Sequence, residues 1–332
     1  MGVGVLALYF RASGQELAPG LAALTFGVAI ISAAFLLSWA VEVAKLDIAQ
    51  ALALAIVALV AVLPEYVVDL YFAWQAGAHP GSEYASYAAA NMTGANRLLV
   101  GIGWPLVGLL WWFKSRHGLW LRPTASLEIT FLAFAALYAV FIPFRGQIGW
   151  WDALVLIGWF AAYMWLSSRA EAEEPELLGP AAAIGALVRG LRRAVTLGLL
   201  LYAAGVIVTS AEPFAEGLIQ SGKGLGIDEF VLVQWLAPLA SESPEILLAA
   251  ILTLRGNGLA GMTILISAMV NQWTLLIGSL PVVYSISLGS LSGLPLDARQ
   301  VEEVFLTAAQ AIFAVTLLLR LRISWLSAIT LL

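Results

Sequence analysis

The chain has 332 residues, 61% of them hydrophobic and 11% charged, with a formal net charge of −5 and a mean hydropathy of +0.92. A soluble domain is about 45–50% apolar and about 25% charged. This composition therefore excludes a cytosolic enzyme, a nucleic-acid binder and a disordered chain, and the negative balance argues against a polyanionic partner. Cysteine is absent, which excludes disulfides, thiolate metal sites and a thiol nucleophile.

A membrane-spanning helix needs roughly 20 mostly apolar residues. In chain order, spans are predicted near 18–44, 48–75, 83–113, 124–144, 150–168, 188–212, 228–254, 258–288 and 298–320. Residues 1–10 are apolar but lack the basic front and cleavage site of a signal peptide; they read as an interfacial lead-in. A tenth apolar stretch opens at Ile323 and stops at Leu332, too short to cross. No run alternates as a membrane barrel strand does. The expected fold class is an all-α polytopic membrane protein of about 10 transmembrane helices, the last one incomplete. Glu42 and Glu83 fall at span ends, and Glu212 and Glu216 are expected to cap or flank a helix end.

Lys and Arg in alternate connections set the orientation. Arg11, Arg145, Lys223 and Arg299 lie on the N-terminal side, against eleven basic residues on the other, and Arg97 lies inside a span. The chain is thus expected in the plasma or inner membrane with its N-terminus outside and its central loop cytoplasmic. The one charge run, RAEAEEPELLGP at 169–180, opens a short acidic linker over 169–187. It separates a first half, 1–168, from a second half, 188–332. A calcium-sensing loop is the sharper alternative for that run.

The two halves repeat. Leu63-Pro64-Glu65-Tyr66 in the first answers to Ser243-Pro244-Glu245-Ile246 in the second, 180 residues on. In each half the next helix carries an Asn followed seven residues later by Gly, at Asn96 and Gly103 and at Asn271 and Gly278, with Pro105 and Pro281 just beyond. The copies cover about 48–113 and about 228–288. Five spans per half put the second copy into the membrane from the opposite face, so two inverted five-helix repeats are predicted. Inverted repeats with proline-broken helices near the midplane are the build of many secondary transporters.

Pro64 and Pro244 each remove a helical hydrogen bond and free carbonyl oxygens, and a carboxylate directly after each adds a hard oxygen ligand. Glu65 and Asp69, four apart, share a helix face; Glu242 and Glu245, three apart, also converge. Carboxylates, carbonyls and amides suit Na⁺ or Ca²⁺ rather than zinc or copper. An ionisable group inside a span costs at least ~2.5–3.5 kcal/mol and by default marks a function. Asp69 and Glu242 could instead be structural partners of Arg97. Asn91, Asn96, Asn271 and Gln272 are either ligands or interhelical hydrogen-bond glue, and Ser241 and Thr274 are weaker candidates of the same kind.

At these residues the sequence resembles the cation/Ca²⁺ exchanger superfamily, of the sodium/calcium exchanger type. The resemblance implies two inverted five-helix halves, each with an alpha repeat of the form Gly-Thr-Ser-Leu-Pro-Glu-Leu and then Gly-Asn-x-x-Gly-Ser-Asn. It implies that Glu65 and Glu245 are the paired glutamates that bind Ca²⁺. Asn91, Gly94 and Asn96 match the second motif in the first half, with Ala95 in place of its Ser; Asn271 alone matches in the second. Ala61-Val62 and Ser241-Glu242 stand where the family has Thr-Ser, and Leu99 and Thr274 where it has an Asn or Asp ligand. Arg97 is the largest departure, a positive charge beside the acids.

The expected function is a secondary antiporter that exchanges Ca²⁺, or another small cation, for Na⁺ or H⁺ by alternating access at a midplane acidic site. Spans one and six, which start each half, would slide past the two proline-bearing helix pairs. The alternatives are a monovalent cation/H⁺ antiporter with no use for Ca²⁺, and a non-transporting scaffold or sensor in which Arg97 neutralises the site. An enzyme is not expected, since no His-Glu-x-x-His or Gly-x-Ser-x-Gly motif occurs. The partners are small inorganic cations and the lipid bilayer, with no cofactor, nucleic acid or obligatory protein partner.

Overall fold

The computed structural model describes residues 1–47, 63–122, 125–169, 177–319 and 321–332. The first part of the span from 48, the Ala61-Val62 pair and the middle of the acidic linker lie outside the described residues. The described chain is helical: α1 Gly2–Ser13, α2 Pro19–Ala44, α3 Leu63–Ala78, α4 Tyr84–Leu98, α5 Trp104–Ser115, α6 Ser126–Ala139, α7 Trp150–Ser167, α8 Pro180–Gly185, α9 Arg189–Leu225, α10 Glu229–Arg255, α11 Gly258–Asn271, α12 Ile277–Leu288, α13 Ala298–Leu318 and α14 Trp325–Leu331. Among the described residues, seven helices or continuous helix pairs are long and apolar enough to cross a membrane.

These elements form two compact units, each drawing on both halves of the sequence. The first holds residues 1–68 and 164–232, the second 69–163 and 233–332. In the first unit α2 and α9 run side by side. Small residues bring them close, as expected for helices that lack a hydrophobic drive to pair in lipid. A Cβ on Gly217 would stand 2.7 Å from the Ala23 nitrogen, and one on Gly27 2.9 Å from the Phe214 ring. α1 lies alongside, with the Tyr202 hydroxyl donating to the Met1 carbonyl at 2.7 Å and Arg11 paired to Glu212.

That pair corrects two expectations. The sixth span does not end at Glu212: α9 continues through Pro213 to Leu225 and is capped by Gly226 in the left-handed region, with φ 67°. Glu212 and Glu216 are therefore interior residues of a helix, not caps. Proline disrupts the one hydrogen bond its ring nitrogen would have donated, and packing along α2 holds the helix on both sides of it.

In the second unit α13 packs on α4 and α6, α14 on α5, and α11 on α5 and α6. α13 opens with a reciprocal cap: the Gln300 backbone donates to Asp297 Oδ1 at 3.0 Å, and the Asp297 backbone to Gln300 Oε1 at 2.9 Å. Two short antiparallel pairings tie connections together. Leu119–Trp120 (β1) pairs with Arg322–Ile323 (β4), and Gln147–Ile148 (β2) with Leu294–Pro295 (β3). The core includes Phe72, Trp104 and Trp273, all fully buried.

Each half has a π-helical turn next to its Asn. α4 passes directly into a π-helical turn, Leu99–Gly103, and then into α5; α11 passes into a second, Gln272–Leu276, and then into α12. Each turn starts within three residues of its half's Asn, at Asn96 and at Asn271. Single π turns inside α-helices often mark functional sites, because the extra residue redirects side chains.

Candidate cation site

α10 is continuous from Glu229 to Arg255 with Pro238 and Pro244 both inside it, so the expected break at Pro244 is a loss of single hydrogen bonds without interruption of the helix. Each proline leaves the carbonyl four residues back without its helical donor, which frees Gln234 O and Ala240 O. The first meets Gly94: a Cβ there would stand 1.8 Å from the Gln234 oxygen. Only a residue without a side chain lets α4 lie this close to α10, and that approach sets where the α4 side chains sit.

The acids follow. Glu65 and Asp69 lie one turn apart on α3, 3% and 0% exposed. Glu242 is buried on α10, and Glu245, one turn later, is half-buried with its Oε2 sealed. Within the second unit Asp69 and Glu245 each lie near enough to Glu242 to feel its charge. Gln272, at the start of the second π turn, donates its amide to Glu242 Oε1 at 2.9 Å.

Amides complete the cluster. Asn91 faces Asp69, yet neither amide atom nor either carboxylate oxygen completes a hydrogen bond of normal geometry. Asn96 donates to the Met92 carbonyl at 3.0 Å and leaves its own Oδ1 without a donor, as do Gln272 Oε1 and Glu245 Oε2. Asn271 is buried at the end of α11. Ser241 and Thr274 are buried but give their hydroxyl protons to carbonyls of their own helices, Ser241 to Ala237 and Pro238 and Thr274 to Val270 and Asn271.

Buried polar atoms are nearly always hydrogen-bonded, and a buried acceptor without a donor is costly. Among the described residues, six oxygens of Asp69, Asn91, Asn96, Glu245 and Gln272 complete no hydrogen bond of normal geometry. A set made of carboxylate and amide oxygens suits a hard cation or a proton. Among the described residues, no three His, Cys, Asp or Glu side chains stand close enough together to hold a metal ion by themselves, so amide oxygens are needed to complete any coordination shell.

Arg97 does not join these acids, which corrects the expectation that Asp69 or Glu242 pairs with it. One residue past Asn96 the helix has turned by about 100°, and Arg97 shares the Thr93 face instead. It is ion-paired to Glu303 on α13, with Nε donating to Thr307 Oγ1 at 3.0 Å and Nη2 to the Glu303 carbonyl at 3.2 Å. Gln234 bridges the same carboxylate, at 3.0 Å, and the Thr93 hydroxyl, at 3.3 Å. Sequence reasoning missed Glu303 and Gln234; the signal available was an uncompensated arginine inside a span, which requires an acid somewhere.

The sequence model of the family described as sodium/calcium exchanger protein matches residues 17–169 and 195–332. Among solved structures, the crystal structure of the H⁺/Ca²⁺ exchanger CAX is 49% identical, with a TM-score of 0.95 over 99% of this chain and 83% of that one. The sodium-calcium exchanger NCX_Mj is 16% identical, with a TM-score of 0.57 over 95% of this chain and 96% of that one. Native YfkE is also 16% identical, with a TM-score of 0.69 over 99% and 92%; at this identity the last two share the fold. No curated protein matches the chain.

Proposed function

The chain belongs to the sodium/calcium exchanger family, and from that premise we propose that it is a secondary antiporter that moves Ca²⁺ against H⁺. The observation that carries the reading is the buried set of carboxylate and amide oxygens on Asp69, Asn91, Asn96, Glu245 and Gln272 that complete no hydrogen bond of normal geometry among the described residues. Such oxygens are filled by either a proton or a divalent cation, and competition for one set of atoms couples the two fluxes. Glu65, one turn before Asp69, and Glu245 are the acids we assign to Ca²⁺ itself, with Glu242 held in place by Gln272. H⁺ is favoured over Na⁺ as the coupling ion by the 49% identity to the H⁺/Ca²⁺ exchanger.

The two halves are read as inverted repeats, with the linker at 169–187 cytoplasmic and the N-terminus outside. The paired π turns support the repeat. The strand pairs support the span order, since β1 with β4, and β2 with β3, each join connections that the span order assigns to one side. Alternating access is assigned to sliding of spans one and six, the helices α2 and α9 that start the two halves. No cofactor, enzymatic step or obligatory protein partner enters this reading; the transported cation is the substrate. The scaffold alternative needs Arg97 to neutralise the acids, and the pairing of Arg97 with Glu303 weighs against it.

Proteoliposomes test the assignment. An imposed pH gradient is expected to drive Ca²⁺ uptake, and Glu65→Gln or Glu245→Gln to abolish it. Full-rate uptake by either variant overturns the site, and a K⁺ or Na⁺ flux driven by H⁺ and indifferent to Ca²⁺ selects the monovalent antiporter instead.

A further inference from the structure

Where α2 ends and α9 begins, three arginines surround one carboxylate. Arg192 is consumed by the protein: Nε and Nη2 donate to the two oxygens of Asp47 at 2.7 and 2.9 Å, and Nη1 to the Gly185 carbonyl at 3.1 Å. Arg189 and Arg193 reach Asp47 more loosely, each through Nε, at 3.4 and 3.3 Å, with Arg193 Nη2 also donating to the Asp47 carbonyl at 3.4 Å, and their side chains are 71% and 50% exposed. Lys45 is paired with Glu42. Among the described residues of this cluster, four positive charges (Lys45, Arg189, Arg192 and Arg193) stand against two negative ones (Glu42 and Asp47), a surplus of two carried on the exposed guanidiniums.

The surplus stands at the top of an apolar stripe. Arg189, Arg193, Leu197 and Leu201 follow one another at four-residue intervals, which places them along one face of α9. Leu197 and Leu201 are 57% and 66% exposed, and Val188 and Leu191 beside the arginines 75% and 52%. A Cβ on Gly198, or on Gly205 one turn beyond Leu201, would meet nothing within 4 Å, so this stretch of the helix is open. Two cations at the end of an exposed apolar track match an anionic headgroup with its acyl chain lying below it.

We propose that this face of α9 is a binding site for an anionic phospholipid of the bilayer, with Arg189 and Arg193 on the phosphate and Leu197 and Leu201 against an acyl chain. A second copy of the chain suits the face less well, because a twofold pairing along α9 would bring uncompensated guanidiniums of like sign toward each other. Arg192 stays out of the site, so the ion pair that joins α2 to α9 survives removal of the two exposed charges.

The test uses the full chain in a neutral detergent, with phosphatidylglycerol or phosphatidylcholine added and bound lipid counted by native mass spectrometry. Phosphatidylglycerol is expected to bind and raise the melting temperature. Arg189→Gln/Arg193→Gln is expected to weaken it about thirtyfold, about fivefold per charge, whereas Arg189→Lys/Arg193→Lys and Arg255→Gln retain it. If the double Gln variant does not fold, Arg193→Gln alone is expected to lose about fivefold, and full retention there counts against the site. Equal binding of phosphatidylcholine, equal stabilisation by inorganic phosphate, or undiminished binding in the Gln variants overturns the proposal. So does a Leu197→Cys protein that cross-links to its own copy in phosphatidylglycerol bilayers.

Discussion

The Arg97 guanidinium on α4 is bound to the Glu303 carboxylate on α13, 206 residues along the chain, and the pair is neutral in itself. An unpaired arginine there would have cancelled one of the acids on α3 or α10. Paired, it leaves the charge of Asp69, Glu242 and Glu245 intact and acts instead as a cross-link among α4, α10 and α13, with Gln234 as the third member.

A cross-link of this kind is costly to break on one side only. Arg97→Gln leaves Glu303 with Gln234 as its remaining side-chain donor and is expected to destabilise the protein by about 3 kcal/mol, the low end for a buried pair because both side chains keep some exposure. Arg97→Met with Glu303→Leu removes both charges and is expected to lie within about 1 kcal/mol of the parent. Thermal denaturation of the three proteins checks this; a double variant as unstable as the single one would show that the ion pair is not the unit that matters.

Asp47 gives a pH dependence. The hydrogen bond from Arg192, reinforced by the charges of Arg192 and Arg193, holds its carboxyl at about 2, against an ordinary 3.8. A lowered value means that the contribution is complete above the unfolded value and is lost as pH falls through the folded one. The melting temperature of the parent is therefore expected to drop between pH 4 and 2 more steeply than that of Asp47→Asn, which starts lower at pH 7. Parallel curves would remove Asp47 from the acid limb.

Hydropathy places α2, α7, α10 and the helix pairs α4–α5 and α11–α12 within a few residues, because each span sums some twenty apolar side chains and single exceptions average out. Glu65 and Glu245 stand out for the complementary reason: each is an acid directly after a proline in an apolar run, and the Pro-Glu pair recurs in the other half. What was not legible depends on contacts across the chain. Glu303 sits one turn inside α13, where an acid reads as a span end, and only α4 makes it a partner. The length of α9 beyond Pro213 is set by packing on α2. The π turns after Asn96 and Asn271 have no residue signature, since Leu99-Val100-Gly101 and Gln272-Trp273-Thr274 share no side-chain chemistry.

Gly94 and Gly101 lie seven residues apart on one helical segment and should respond in opposite ways. A methyl at Gly94 collides with the Gln234 carbonyl that Pro238 leaves free, and backbone cannot rotate away as a side chain does. Gly94→Ala is expected to cost about 3 kcal/mol or more and to abolish Ca²⁺ uptake by forcing α4 off α10. At Gly101 nothing lies nearer than 3.7 Å, and Gly101→Ala is expected to melt within a few degrees of the parent and to transport. A tolerated Gly94→Ala would mean that the close approach of α4 and α10 does not position the site.

Gln272 and Thr274 occupy the same π turn but differ in what their side chains hold. The Gln272 amide donates to Glu242 Oε1, and a hydrogen bond to a charged group contributes about 1.5–3 kcal/mol. The Thr274 hydroxyl donates only to carbonyls of its own helix. Gln272→Leu frees Glu242 from its orientation and is expected to raise the KM for Ca²⁺ about tenfold or more, since about 1.4 kcal/mol is a factor of ten, while the maximal rate changes little. Thr274→Val is expected to leave KM within about twofold. Initial rates of uptake over a range of external Ca²⁺ separate the two quantities. A KM that moves with Thr274 and not with Gln272 would place the cation against the hydroxyl and take Glu242 out of its shell.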